Sequence, residues 1–306
     1  MERRALGGSD LAITPVGVGT APIGSSPGVW WVNWGPQDEG DAMRALHTAL
    51  DLGVNWIDTA PFYGWGRAEE IVGRAIRGRE DVLVFTKCGT LRREDGDDSM
   101  DLRPEAIRDD VEGSLRRLGV ERVDLLQIHD RDPEVPIEET WGAVLELVDE
   151  GLVRHGGISN HPAAAVERAL AVGPVAALQY EYSALSRGIE QTILPLASRR
   201  GLGVLAWAPL ASGFLTDGFA VEQLHPDDFR RGHRFAALEL EPVRSALRTV
   251  DRTAVEGALA FVLSHEAVTG AIVGVRNEDE AAALVRAAEL RLTREELESV
   301  EAAIPS

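Results

Sequence analysis

The chain alternates short apolar runs with longer stretches of helical periodicity, and this alternation constrains its fold more than any other feature. Each apolar run has the length of a buried β-strand and precedes a segment whose apolar residues recur every three or four positions. This pattern is typical of βαβ units. The predicted strands are Val16 to Val18, Val54 to Ile57, Val82 to Thr86, Val123 to Ile128, Arg154 to Ile158, Ala176 to Gln179, Gly203 to Ala206 and Ala271 to Val273.

The segments between these strands carry the start and stop signals of helices. Three of them have a glycine directly after the last periodic residue, and two of the three begin at proline, which is the asymmetry expected of helix ends. The predicted helices are Asp38 to Leu52, Glu69 to Arg77, Pro104 to Leu118, Pro136 to Glu150, Pro162 to Leu170, Glu190 to Arg200, Thr253 to Ser264, Glu278 to Ala287 and Arg294 to Ala303.

Eight strands that each precede a helix predict an α/β fold, a (β/α)8 TIM barrel with an N-terminal β-hairpin and an extra C-terminal helix. We expect one domain over residues 1 to 306, with a long insertion from Ala211 to Glu241 and a surface loop from Arg92 to Asp101. The rival is a doubly wound open sheet, which requires a glycine-rich phosphate loop after the first strand. Pro22 stands where the helix of that loop would begin, so the barrel is favoured.

Charge and hydropathy restrict the partners. The net charge of −19 argues against nucleic acid, and no apolar run approaches the ~20 residues that cross a membrane. The single cysteine, Cys88, excludes an internal disulfide. We expect a cytoplasmic protein whose partner is a small molecule, and the sequence carries no signal for its oligomeric state.

Polar side chains stand at the ends of the predicted strands, where (β/α)8 enzymes assemble their active sites. They are Asp58, Lys87, His129, Ser159, Asn160, Gln179 and Trp207, with Tyr63 in the loop after the second strand. Lys87 is the single lysine among 31 basic residues. An ammonium is compact and tolerates burial differently from a guanidinium, so either this position requires a lysine or a single lysine has persisted there by chance.

An aspartate, a tyrosine, a lysine and a histidine on one rim fit acid–base chemistry on a carbonyl group. The ammonium of Lys87 would lower the pKa of Tyr63, Asp58 would hold Lys87, and His129 would orient the substrate oxygen. Hydride has to come from a cofactor, because no side chain supplies it. The seven scattered histidines do not suggest a metal site, a glycosidase would need a second carboxylate beside Asp58, and the setting of Cys88 favours packing over nucleophilic attack.

These residues resemble the aldo-keto reductases, and the resemblance runs from Leu6 to about Leu292. The motifs that carry it are Asn55-Trp56-Ile57-Asp58-Thr59-Ala60-Pro61-Phe62-Tyr63-Gly64, Phe85-Thr86-Lys87, Gln127-Ile128-His129, Gly157-Ile158-Ser159-Asn160, Ala208-Pro209-Leu210, Gly213-Phe214-Leu215-Thr216 and Gly274-Val275-Arg276-Asn277.

The resemblance implies a catalytic tetrad of Asp58, Tyr63, Lys87 and His129, with the tyrosine as general acid in reduction. It also implies contacts to a nicotinamide cofactor, from the carboxamide and ring to the pyrophosphate and adenosine. The implied cofactor positions are Gly19, Thr20, Asp58, Ser159, Asn160, Gln179, Trp207, Ala208, Leu210, Ser212, Gly213, Leu215, Gly274, Val275, Arg276, Asn277 and Glu280.

Within the family the chain is similar to the bacterial branch that contains IolS and the general stress reductases. Two segments carry this likeness, one around Trp30 to Glu39 and one around Arg230 to Phe235. The substrate pocket that it implies contains Trp31, Trp34, Phe62, Trp65 and Asp130.

One departure concerns the adenosine end of the cofactor. Many members have a glutamine and a Glu-Asn pair after the Arg276 motif, whereas this chain has Glu280 and then Ala283-Leu284. Arg276 offers a cation to a 2′-phosphate, so NADPH is favoured, while Glu280 leaves NADH open. Two further hypotheses are an NAD-dependent sugar or polyol dehydrogenase and a nucleotide-sensing subunit without catalysis.

Overall fold

Eight parallel strands close into a barrel in the computed structural model, which describes residues 1–25, 32–92, 98–249 and 251–305. Among the described residues the strands are β1 (Arg4–Ala5), β2 (Ala12–Ile13), β3 (Val16–Gly19), β4 (Trp56–Asp58), β5 (Leu83–Cys88), β6 (Thr90–Arg92), β7 (Asp98–Met100), β8 (Val123–Ile128), β9 (Val153–Ser159), β10 (Ala177–Glu181), β11 (Gly203–Trp207) and β12 (Gly270–Gly274). The strand order around the barrel is β10-β11-β12-β3-β4-β5-β8-β9. Closure through β12 and β3 confirms the predicted barrel and excludes the doubly wound sheet.

Helices follow the barrel strands and cover the outside of the barrel. Within the described ranges they are α1 (Glu39–Asp51), α2 (Arg67–Ala75), α3 (Pro104–Leu118), α4 (Ile137–Asp149), α5 (Ala163–Val172), α6 (Ile193–Arg200), α7 (Glu241–Leu247), α8 (Ala254–Ser264), α9 (Glu278–Ala287) and α10 (Arg294–Ala303). Their ends have local causes. Thr253 and Glu256 form a reciprocal capping box at the start of α8, and Gly119 ends α3 in the left-handed conformation that glycine adopts without strain.

The side chains form two apolar cores on opposite faces of the barrel wall. One lies between the strands and the helices, and the other fills the barrel interior below the strand ends. Successive side chains of a strand point to opposite faces, so Trp56 and Phe85 fill the interior while Asp58 and Lys87, two residues further on, point inward one layer higher. Gly17 makes room for this filling, because a Cβ there would lie 2.1 Å from the Trp56 indole.

The hairpin of β1 and β2 closes the barrel at the end where the strands begin. Its apolar residues Leu6, Leu11 and Ile13 are buried and join the interior core. Gly7 packs so closely there that a Cβ would lie 2.5 Å from the backbone nitrogen of Gly203, the first residue of β11. The predicted N-terminal hairpin is therefore confirmed, and the polar strand ends face the opposite, open end.

Two expectations need correction. The segment from Arg92 to Asp101, predicted as a surface loop, contains part of an antiparallel pair in which β6 and β7 align Thr90 with Met100. The insertion after β11 contains three short 3-10 helices, and α7, which begins at its last residue, was not predicted. Both segments are rich in charge and poor in apolar periodicity, so the sequence pattern does not reveal their structure.

In the ranges that the structure describes, no helix has both the length and the apolar character required to cross a lipid bilayer.

Candidate active site

Asp58 and Lys87 form a buried ion pair at the inner ends of β4 and β5. Lys87 Nζ lies 2.5 Å from Asp58 Oδ1, and the two side chains are only 1% and 2% exposed. The ammonium also donates to the backbone oxygen of Thr59 at 3.0 Å and to Tyr63 Oη at 3.2 Å. An ammonium has three protons, so each of them has an acceptor in the chain.

The second carboxylate oxygen of Asp58 accepts hydrogen bonds from two glutamines. Gln127 Nε2 lies 3.1 Å and Gln179 Nε2 lies 2.8 Å from Asp58 Oδ2. Gln179 Nε2 also donates to Gln127 Oε1 at 2.9 Å. A buried carboxylate is tolerated when it is both paired and hydrogen-bonded, and these contacts also fix Asp58 in place.

The electrostatics keep Lys87 charged and Tyr63 protonated. Burial lowers the pKa of Lys87, but Asp58 and Tyr63 raise it more, so the pKa lies above its ordinary value. Burial raises the pKa of Tyr63, and the nearby Lys87 opposes this without cancelling it. Lys87 therefore acts on the pKa of Tyr63 in the predicted direction, but the net pKa of Tyr63 lies above its ordinary value.

His129 directly follows β8 and faces Tyr63. The two rings are nearly perpendicular, with their centroids 5.9 Å apart. Burial and the positive charge of Lys87 lower the pKa of His129 to about 3. The imidazole is therefore neutral near pH 7, and it can donate or accept hydrogen bonds without bringing a charge.

Ser159, Asn160 and Trp207 lie together at the ends of β9 and β11. Ser159 Oγ is buried and has no hydrogen-bond partner among the described residues. Asn160 has a φ of +57°, and its side chain donates to the backbone oxygen of His129 at 3.0 Å and accepts from Trp207 Nε1 at 3.2 Å. Asn160 thus connects the histidine to the tryptophan, and the unsatisfied hydroxyl belongs to the residue directly before it.

The turn after β11 holds the residues predicted to line the pyrophosphate. Three of its non-glycine residues have left-handed backbones, namely Ala208 (φ +49°), Ala211 (φ +49°) and Ser212 (φ +56°). Strain of this kind is concentrated at functional sites. Leu210 and Gly213 belong to the same tight turn, whereas the Leu215 side chain is fully buried. Leu215 therefore offers only its backbone to a ligand.

The ends of β12 and β3 lie side by side, with Gly274 in register with Gly19. Thr20 donates from its backbone nitrogen and its hydroxyl to the backbone oxygen of Asp58, at 3.0 and 3.1 Å. Val275 is buried. These residues join the first and last barrel strands next to the catalytic candidates.

Arg276 and Glu280 have intramolecular partners. The Arg276 guanidinium donates to the backbone oxygens of Trp34 and Pro36 and to Gln37 Oε1, which uses three of its five N–H groups. Glu280 accepts from the Arg276 backbone nitrogen at 2.8 Å and from Asn277 Nδ2 at 3.0 Å. The Glu280 carboxylate thus lies next to Arg276, which was predicted to bind the 2′-phosphate of the cofactor.

The residues predicted to form the substrate pocket are only partly together. The Phe62 ring packs edge-on against Trp65 and His129, at centroid distances of 5.3 and 5.8 Å. Trp34 instead packs on Phe229 of the insertion, at 4.8 Å. The Asp130 side chain is 54% exposed, and Trp31 lies outside the described residues.

A cavity of about 400 Å³ opens beside Trp207 and under the insertion. Its walls are built by residues at the ends of β10 and β11 and by residues of the insertion: Glu181, Trp207, Phe229, Gly232, His233 and Arg234.

Two rivals to the carbonyl chemistry find little support here. Cys88 is 1% exposed and burial raises the pKa of its thiol, which makes it a poor nucleophile. Among the residues with assigned positions, no three His, Cys, Asp or Glu side chains group closely enough to hold a metal ion.

Gln127 and Thr90 contact the catalytic candidates but were not singled out from the sequence. Gln127 holds Asp58, and Thr90 Oγ1 lies 3.2 Å from His129 Nδ1. The sequence does contain a signal for Gln127. In three strands a polar residue stands two positions after an apolar residue of the barrel interior: Asp58 after Trp56, Lys87 after Phe85, and Gln127 after Leu125. Thr90 lies in the unpredicted hairpin and has no such signal.

Comparison with known proteins agrees with this architecture. The model of the Aldo/keto reductase family matches residues 15–305. Aldo-keto reductase YhdN of Bacillus subtilis is 31% identical over 296 residues, which cover 93% of this chain and 88% of that protein.

Solved structures are similar as well. Glycerol dehydrogenase AKR11B4 of Gluconobacter oxydans has a TM-score of 0.88 and 32% identity, covering 99% of this chain and 94% of that one. An aldo/keto reductase of Klebsiella pneumoniae in complex with NADP and acetate has a TM-score of 0.77 and 28% identity, covering 100% and 97%. A likeness to IolS in particular stays a prediction. With a family match over nearly its whole length and the matching barrel, the chain belongs to the aldo/keto reductase family of NAD(P)H-dependent oxidoreductases.

Proposed function

We propose that this protein reduces an aldehyde or a ketone to an alcohol with NADPH, and that Tyr63 donates the proton. The observation that carries the proposal is the buried chain of contacts from Asp58 through Lys87 to Tyr63 Oη, with neutral His129 opposite the phenol. Buried titratable groups in contact with a specific charged partner are concentrated at functional sites.

The residues at the strand ends fit a nicotinamide cofactor. The buried Ser159 hydroxyl lacks a partner, and a carboxamide would supply one. Trp207 offers an aromatic face at the cavity beside it, and the NADP-bound Klebsiella structure supports NADPH as the cofactor. When bound, the reduced nicotinamide supplies the hydride that no side chain can provide.

The side chains divide the remaining work. Tyr63 Oη donates its proton to the carbonyl oxygen, and the resulting phenolate is stabilised by Lys87 at 3.2 Å. Asp58 keeps Lys87 charged and in position, so the positive charge is already in place when the phenolate forms. His129 is neutral and donates a hydrogen bond to the carbonyl oxygen, which orients the substrate.

The decisive experiment measures NADPH oxidation with aldehydes, ketoses and pyridoxal for the wild type and for Tyr63→Phe. We expect Tyr63→Phe to bind NADPH normally and to lose about 10²- to 10⁴-fold in kcat. Tyr180→Phe is the matched control, since the Tyr180 hydroxyl donates to the backbone oxygen of His161 outside this group. Undiminished reduction by Tyr63→Phe contradicts the proposed acid. If the wild type binds NADPH but reduces no carbonyl of the panel, a nucleotide-sensing role is favoured.

A second candidate is the oxidation of a sugar or polyol with NAD. The first turn of α9, next to Arg276, favours this candidate. It carries the carboxylates of Glu278, Asp279 and Glu280, whose negative charges oppose a 2′-phosphate. The similarity to a glycerol dehydrogenase points the same way. Binding constants for NADPH and NADH, measured by fluorescence quenching, separate the two candidates: a clear preference for NADH would replace the first with the second.

A further inference from the structure

Thr90 contacts the histidine of the proposed site from the hairpin of β6 and β7. Its hydroxyl oxygen lies 3.2 Å from His129 Nδ1. A second neighbour of the hydroxyl is the thioether of Met100, with Sδ 3.9 Å from Oγ1. The single proton of the hydroxyl therefore has two acceptors within reach.

The neutral imidazole carries one proton, and its position decides what His129 can do. If the proton were on Nδ1, it would be donated to Thr90, and Nε2 would be an acceptor that repels a carbonyl oxygen. If Nδ1 accepts the Thr90 proton, the imidazole proton is on Nε2. A thioether is a weak acceptor and an imidazole nitrogen is a strong one, so the Thr90 proton makes its stronger hydrogen bond in the second arrangement.

We propose that Thr90 is a positioning residue, which donates to His129 Nδ1 and thereby holds the histidine proton on Nε2, where a substrate carbonyl can accept it. This inference rests on the proposed carbonyl reduction and specifies how His129 takes part in it. Thr90 itself does not touch the substrate in this scheme. It acts by selecting one tautomer of the neighbouring ring.

The backbone around Thr90 is held firmly enough for this role. Gly89 donates from its backbone nitrogen to Asp110 Oδ2 at 2.7 Å and accepts from the backbone nitrogen of Asp101 at 2.8 Å. Thr90 is then paired with Met100 in the antiparallel ladder. These contacts fix the position of the Thr90 backbone independently of His129.

The test compares Thr90→Val, which lacks the hydroxyl, with Thr90→Ser, which keeps it. We expect Thr90→Val to lower kcat/KM for carbonyl reduction about tenfold to a hundredfold, the size of the loss when partners that orient metal-binding histidines are removed. NADPH affinity should be unchanged, and Thr90→Ser should restore most of the rate. Ser99→Ala is the matched control, because it removes a hydroxyl from the neighbouring position of the same hairpin.

The tautomer itself is read from the chemical shifts of the His129 ring nitrogens, assigned by comparison with His129→Phe. In the wild type we expect the proton on Nε2, and in Thr90→Val a mixture of both tautomers. A proton on Nδ1 in the wild type overturns the inference. So does a normal kcat/KM in Thr90→Val, or an equal loss in Thr90→Val and Ser99→Ala.

Tyr63→Phe, measured in the same series, separates this inference from the proposed function. If Tyr63→Phe is inactive while Thr90→Val is normal, only the role of Thr90 fails. If Tyr63→Phe retains full activity, the proposed acid fails, and the ring-nitrogen shifts still decide whether Thr90 fixes the tautomer.

Discussion

The Lys87 ammonium lies against Tyr63 in two ways, with Nζ 3.2 Å from the phenol oxygen and 5.0 Å from the centroid of the ring. Asp58 holds the same nitrogen from another side at 2.5 Å. This space is filled by a compact cation. A planar guanidinium, which needs more room and directs its donors in a fixed fork, does not fit the same contacts.

Lys87→Arg should therefore abolish most of the activity although the charge is retained. We expect kcat to fall about 10²- to 10⁴-fold, because Tyr63 loses the group that stabilises its phenolate. The measurement is NADPH oxidation at saturating substrate, with circular dichroism to show that the variant folds. Arg294→Lys, the reverse exchange at a side chain that is 93% exposed, should behave as wild type. A fully active Lys87→Arg would show that only the charge matters.

Ser159→Ala should separate cofactor binding from stability. The wild-type hydroxyl is buried without a partner, so its removal leaves the free energy of unfolding of the free protein unchanged or slightly increased. NADPH affinity should fall about tenfold, the equivalent of one lost hydrogen bond. Titration calorimetry and thermal unfolding with and without NADPH measure both effects, with the exposed Ser245→Ala as control. Unchanged NADPH affinity would place the carboxamide elsewhere.

Glu280→Gln should shift the cofactor preference towards NADPH. Glu280 lies in the first turn of α9 and contacts the backbone of Arg276, so its negative charge opposes a phosphate that approaches this arginine. We expect the ratio of NADPH to NADH affinity to rise about threefold to tenfold, consistent with one charge near a helix end. Glu295→Gln removes a carboxylate from the first turn of α10 and serves as control. An unchanged ratio would mean that the 2′-phosphate does not reach α9.

Asp110→Asn should stabilise the protein at high pH. Burial raises the pKa of Asp110 to about 6 from an ordinary value of 3.8. Because the folded-state pKa is the higher one, the stability linked to Asp110 is complete below about pH 4 and is lost as the pH rises through about 6.

The Asp110→Asn variant avoids this loss, since its amide oxygen can still accept from Gly89. Chemical denaturation should show equal stability of variant and wild type near pH 4. At pH 8 the variant should be more stable, by at most about 3 kcal/mol. Asp109→Asn, a substitution of the exposed neighbour, provides the control. A variant that is less stable at pH 8 would show that Asp110 is stabilising as a carboxylate.

Much of the barrel could be predicted because each strand and helix has its own periodicity. β8, α3, α9 and α10 begin and end at the predicted residues, and the other barrel strands and predicted helices differ by a few residues at most. The hairpin of β6 and β7 was missed because its pairing depends on the neighbouring barrel and not on an apolar pattern. Thr90 was missed for the same reason, since its contact with His129 arises only when the hairpin forms.

The sequence predicted which residues form the site more completely than it predicted their pKa values and hydrogen-bond partners. Asp58, Tyr63, Lys87 and His129 stand at strand ends or just after them, and the barrel brings them together. The net pKa of Tyr63 did not follow from the sequence, because it depends on how deeply the phenol is buried. The partners of Arg276 were equally hidden, since Trp34 and Pro36 are more than two hundred positions away in the chain.

The apolar filling of the barrel interior has a consequence for the supply of protons. Trp56, Phe85 and Leu125 lie between the Asp58–Lys87 pair and the hairpin that closes the far end, where Leu6 and Ile13 are buried. Among the described residues, this apolar cluster separates Tyr63 from the solvent at the hairpin end. In the proposed reaction, a proton donated by Tyr63 would therefore be replaced from the open end of the barrel, the same end through which the alcohol would leave.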